Sequence, residues 1–166
     1  MKFNILDGLT LDDGIYSYEF NNVGQEVEIQ TREKVANNDY DEYFEILSRN
    51  HSIPVMDKEV VNFLKKIPKN GYIIDCGGCW GWHWRKLKQV RPDVKVFIVD
   101  FVKGNLFHAK KILKNDLNNN FYLIHGDATD LVFDEGVFDG YWSVQTLQHV
   151  PDFSKAVKEG HRVLKN

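Results

Sequence analysis

Residues 72–81 read Tyr72-Ile73-Ile74-Asp75-Cys76-Gly77-Gly78-Cys79-Trp80-Gly81. A short apolar run, then an acid, then a glycine-rich turn is the pattern of a buried strand feeding a tight loop. Glycine lets such a loop bend sharply and brings main chain close to a ligand. The loop is not a dinucleotide fingerprint. Counted from Gly77, that motif wants glycine at 79 and 82, where the chain has Cys79 and Trp82. Nor does a Walker-type Gly-Lys-Ser/Thr follow. The stretch therefore fits an adenosine-like ligand that lacks a pyrophosphate.

Downstream, strands and helices alternate. Residues 82–90 read as a helix stopped by Pro92, and 94–99 as an almost wholly apolar strand. Residues 106–113 read as a helix, 121–124 as a third strand and 138–142 as a fourth. Asp152 is placed to cap a last helix running to residue 164. Continuous apolar strands between helices predict a parallel sheet covered on both faces. With right-handed crossovers this is an α/β, Rossmann-like, doubly wound fold. Ligands in such folds bind outside the carboxyl ends of the strands.

The first fifty residues differ. Residues 15–20 and 27–30 alternate with period two around Asn21-Asn22-Val23-Gly24, which predicts a hairpin. Tyr40, Tyr43, Phe44 and Leu47 recur at helical spacing, as do Val60, Phe63, Leu64 and Ile67 after a cap at Asp57. The division this predicts is an N-terminal hairpin and helix extension or lid over 1–54, and a core over 55–166.

Composition narrows the class. The chain has 166 residues, 43% hydrophobic and 27% charged, with formal net charge −3. That is a globular composition with little affinity for phosphate backbones, so no nucleic-acid partner is expected. No apolar run approaches the ~20 residues of a membrane helix, and the N-terminus lacks a secretory pattern. The two cysteines, Cys76 and Cys79, cannot form a disulfide framework. A cytoplasmic, reduced protein is expected.

At the remaining strand ends stand Asp100, then Gly126-Asp127-Ala128, then Ser143, followed by Leu147-Gln148-His149-Val150-Pro151-Asp152. With Asp75, Gly77 and Gly81 in the first loop, these motifs resemble, in order and position, the class I S-adenosylmethionine-dependent methyltransferases of the small-molecule group. The resemblance covers roughly residues 55 to 166 and extends to the helix ending Arg162-Val163-Leu164-Lys165. It implies S-adenosyl-L-methionine as cofactor, S-adenosyl-L-homocysteine as product and a small-molecule methyl acceptor. It implies cofactor contacts at Asp75, Gly77, Gly78, Cys79, Trp80, Gly81, Asp100, Phe101, Asp127, Ala128 and Ser143. Asp100 would hold the ribose and Asp127 with Ala128 the adenine. His149 stands where the acceptor approaches and is the catalytic candidate. His51, Tyr43 and Trp142 are candidates for the lid or the acceptor pocket. No metal is implied.

Two departures from the family pattern bear on this. Cys79 stands where the middle glycine of the motif belongs, and its side chain would crowd the cofactor or tilt the loop. The family's sheet also continues past the Arg-Val-Leu-Lys segment, whereas only four strands are legible here. The fourth strand is then an edge that a second copy or a partner would cover, or the domain is a truncated form. Cofactor-binding without independent activity is one alternative reading. A different Rossmann-like enzyme is another, because Cys76-x-x-Cys79 with His83 also fits a redox or metal motif.

Overall fold

The computed structural model of the chain describes residues 5–20, 26–36 and 52–166. Within them one sheet of six strands runs β1 (Thr10–Asp12), β2 (Ile15–Ser17), β3 (Tyr72–Cys76), β4 (Lys95–Asp100), β5 (Phe121–His125) and β6 (Gly140–Trp142). Their spatial order is β1-β2-β5-β4-β3-β6. All neighbours are parallel except β1 and β2. Order reverses at β3, which pairs β4 on one side and β6 on the other. That is the crevice at which doubly wound sheets bind ligands.

Alternation along the central strands divides the core. Ile73, Val96, Ile98 and Leu123 face one side, with Val60 and Leu64 of α2 (Ser52–Leu64), Leu87 of α3 (Leu87–Val90), and Leu106 and Leu113 of α4 (Lys103–Leu113). Ile74, Phe97, Val99 and Ile124 face the other, against Leu131, Phe133, Phe138 and Val163, the last on α5 (Phe153–Val163). Helices thus cover both faces, as continuous apolar strands require. Asp152 caps α5 by accepting from Lys155 N–H at 2.9 Å.

The N-terminal reading needs correction. The hairpin joins β1 to β2, not residues 15–20 to 27–30. Its turn is Asp13-Gly14, both at positive φ (47° and 79°), the conformation a two-residue hairpin loop demands. Residues 27–30 lie instead in α1 (Glu26–Ala36), where Glu28 and Arg32 pair one turn apart at 2.7 Å. The β2 strand extends the sheet beyond β5, so this segment belongs to the same sheet as the core.

Two helix boundaries also shift. Asp57 lies inside α2, and its carboxylate accepts from Arg85 and Lys86, both at 2.8 Å. Residues 82–90 are broken at Lys86 (φ −105°, ψ 4°) into a 3₁₀ turn, Trp82–Trp84, and the short α3. The β6 edge is partly occupied: Val137 and Phe138 N–H donate to Val163 O at 2.9 Å, and Lys165 N–H donates back to Phe138 O at 2.9 Å. The helix expected around residues 40–47 lies outside the described residues.

Candidate functional site

The carboxyl ends of β3, β4, β5 and β6 open onto a cleft of about 470 Å³. That is the size range of small-molecule and cofactor sites. Its floor is the loop after β3. Gly77 (φ 71°), Cys79 (φ 50°) and Gly81 (φ 66°) alternate in the left-handed region. Gly77 N–H donates to Val99 O at 2.7 Å, and Cys79 N–H to Asp100 Oδ2 at 2.9 Å, so the loop is pinned to the end of β4. A Cβ on Gly77 would lie 2.1 Å from Thr146 Cγ2. Only glycine lets the segment after β6 close on the loop here.

Asp100 is buried at the centre of the site. Besides Cys79 it accepts from Val102 N–H at 2.9 Å and Asn105 Nδ2 at 3.2 Å. Three of the roughly four lone-pair directions of a carboxylate are thereby used, leaving one for a ligand hydroxyl. Burial raises its pKa, while the bonds from Val102, Asn105 and Cys79 and the charge of Arg32 oppose the rise. Past β5, Asp127 lines the cleft and accepts from Thr129 N–H at 2.8 Å. Its own N–H donates to Tyr18 Oη at 3.1 Å, and Tyr18 donates to Asp130 O at 2.8 Å.

The structure sorts the sequence candidates. Gly77, Gly78, Cys79, Trp80, Asp100, Phe101, Asp127, Ala128 and His149 line the cleft. Asp75 lies beneath the loop, accepting from Trp84 Nε1 at 2.7 Å, and burial raises its pKa to about 7 against that bond. Gly81 packs on Ile98 and Leu113. Ser143 Oγ donates to Cys76 O at 3.0 Å, tying β6 to β3. Trp142 sits behind the wall against Phe63 and Trp84, at centroid distances of 5.1 and 5.7 Å. His51 and Tyr43 lie outside the described residues.

Glu28, Arg32, His83 and Thr146 also line the cleft, and the sequence reading assigned none of them a cofactor contact. The Glu28 to Arg32 spacing of four was the available signal for a helix, hidden by the period-two apolar pattern beside it. His83 lies against the Trp82 ring at 4.2 Å, and burial together with the Arg85 charge lowers its pKa to about 4. Its buried Nδ1 finds no partner among the described residues.

Thiol chemistry fits poorly. Cys76 is fully buried, and its pKa is pushed up to about 12 by burial. Burial and the Asp100 charge raise that of Cys79 as well. Neither is a reactive thiolate. Among the described residues no three His, Cys, Asp or Glu side chains converge as a metal site would need.

Residues 74–166 match the family model described as a methyltransferase domain. Over 101 residues the chain is 35% identical to the demethylmenaquinone methyltransferase of Staphylococcus carnosus, covering 60% of this chain and 41% of that protein. The chain spans less than half the length of the curated relatives it matches. Among solved structures, a candidate S-adenosyl-L-methionine-dependent methyltransferase of Methanococcus maripaludis superposes with TM-score 0.65 at 21% identity, over 75% of this chain and 57% of that one. The [4+2]-cyclase SpnF superposes with TM-score 0.60 at 18% identity, over 66% and 41%. At these identities the structural likeness speaks to the fold.

Proposed function

Because this chain belongs to the methyltransferase domain family, we propose that it binds S-adenosyl-L-methionine in the cleft and directs methyl transfer to a small-molecule acceptor. The observation that carries the reading is the arrangement at the strand ends. The glycine loop after β3, Asp100 after β4 and Asp127 after β5 converge on one cleft of cofactor size.

The residues present fit that group. Asp100 keeps one acceptor direction for a ribose hydroxyl, and Asp127 with Ala128 stands where an adenine edge would lie. Three carboxylates, Glu28, Asp100 and Asp127, line the cleft against one guanidinium, Arg32, a balance that favours a cationic ligand. Bound there, the cofactor supplies an activated methyl group on a sulfonium. The protein's part is to exclude water and hold the acceptor in line, which lowers the barrier by several kcal/mol through positioning alone. The acceptor would approach from the β6 side, between His149, Val150 and the α2 residues Val55 and Met56, all of which line the cleft.

We place the protein in a reducing, cytoplasmic setting, supported by two free thiols. No described helix is long and apolar enough to cross a membrane. We further propose that a second copy covers the open part of the β6 edge; a stable monomer in light scattering would remove that proposal.

The test is isothermal titration with S-adenosyl-L-methionine and S-adenosyl-L-homocysteine, with NAD as control. Micromolar binding of the first two and none of NAD is expected, and Asp100→Ala should weaken it at least tenfold. Absence of binding would sink the cofactor assignment. Binding without turnover over a panel of hydroxylated and amine acceptors would favour a cofactor-binding subunit.

A further inference from the structure

One hydrogen bond spans the mouth of the cleft. Arg32 Nη2 lies 2.9 Å from His149 Nε2. Arginine has donors and no acceptor, so the imidazole nitrogen must be accepting. His149 is therefore neutral in this arrangement, with its proton on Nδ1, which lies 3.5 Å from Glu28 Oε1. Glu28 in turn accepts from Arg32 Nε at 2.7 Å. All three residues line the cleft. The lone pair that a general base would use is already taken by Arg32.

The three belong to opposite rims. Arg32 and Glu28 are on α1, which packs beside α4. His149 is in the 3₁₀ turn Leu147–His149 that follows β6. α1 has little apolar anchorage in what is described: Val27 is 78% exposed, and Glu28, Ile29 and Arg32 are half-buried. Its reach to the far rim rests on polar contacts. The Arg32 charge also bears on Asp100 and Cys79 in the cleft floor, so the guanidinium stands over the site rather than out in solvent.

We propose that the Arg32–His149 hydrogen bond is a latch that holds α1 closed as a strap over the cleft, with His149 as a positioning residue that accepts from Arg32. The role of this strap in cofactor retention rests on the function proposed above; the latch itself does not. Ligand exchange then requires the bond to break. Glu28 orients both ends, accepting from Arg32 and facing the Nδ1 proton that fixes the tautomer.

Glutamine at 149 separates a latch from a base. Its side-chain oxygen can accept from Arg32 but cannot take up a proton in a turnover. Hydrogen exchange on the ligand-free chain reads α1 directly, with β3, β4 and α5 as internal controls for folding. Arg32→Ala and His149→Ala should speed exchange of the α1 amides at least tenfold and leave the controls unchanged, whereas His149→Gln should keep most of the protection. The dissociation rate of S-adenosyl-L-homocysteine, followed by tryptophan fluorescence, should rise in the two alanine variants and stay near the parent value in His149→Gln. Unchanged α1 exchange in Arg32→Ala would overturn the latch. So would α1 exchange in His149→Gln as fast as in His149→Ala, because an acceptor at position 149 would then not hold α1. If the chain binds no S-adenosyl-L-homocysteine, the cofactor reading fails while the exchange experiment still decides the latch.

Discussion

Cys79 holds φ at 50° in a loop whose neighbours at that conformation, Gly77 and Gly81, are glycines. A side chain in the left-handed region costs roughly 1–2 kcal/mol. Cys79 tolerates it because its N–H is fixed to Asp100. Cys79→Gly relieves that strain while loosening the unfolded chain, so a net stabilisation of about 0.5–1 kcal/mol is expected in urea unfolding. A loss of stability would mean that the thiol contributes packing larger than the strain. Asp75 gives a pH signature. Its folded pKa, about 7, lies above the ~3.9 of an unfolded aspartate. The folded state thus binds the extra proton between those values, and stability should fall as pH rises from about 4 to 7. Asp75→Asn keeps an acceptor for Trp84 and removes the titration. Its stability should be flatter across that window and exceed the parent's above pH 7 by up to a few kcal/mol. Parallel pH profiles would show that Asp75 does not titrate there.

At the scale of elements, legibility followed the strength of the local pattern. β3, β4 and β5 were readable because each is a nearly unbroken apolar run, and the residues at their ends followed from the fold class. α1 was not, since Val27 and Ile29 alternate as a strand would and the helix lacks an apolar stripe to betray its period. The hairpin turn was legible as Asp13-Gly14 but lost to the longer polar stretch at 21–24. Glu28 and Arg32 were lost with the misread helix, whereas His149 was legible from its place after the fourth strand. Tyr18, just past β2, was likewise unreadable, because its role depends on β2 lying beside β5. There it packs on Gly126, where a Cβ would meet its Oη at 2.4 Å, and its hydroxyl takes the Asp127 N–H. Tyr18→Phe keeps the ring and removes the hydroxyl that accepts from Asp127 N–H. We expect a loss of about 1–2 kcal/mol in stability and weaker S-adenosyl-L-homocysteine binding, since the Asp127 loop loses its support. Unchanged affinity with lowered stability would separate Tyr18 from the ligand loop.

At the scale of the molecule, the family match begins at residue 74, but the core does not. Ile15, Val60, Leu64 and Ile67 are all buried in the same cluster as Ile73, Ile98 and Leu123. A boundary between residues 54 and 55 would cut α2, which starts at Ser52, and remove the strand paired with β5. It would bare the Ile15 face and leave the β5 edge open to association. Burying an isoleucine is worth roughly 1.5–3 kcal/mol, and the lost ladder and Tyr18 contacts add to that. For a domain with the usual 5–15 kcal/mol of stability, removal of residues 1–54 should lower the thermal midpoint by about 10 °C or more, or abolish the cooperative transition. Circular dichroism melts of the full chain and of residues 55–166 measure this directly. Equal midpoints would mean that β1 and β2 lie on a core that is already complete, and that the segment before α2 acts on the cleft alone.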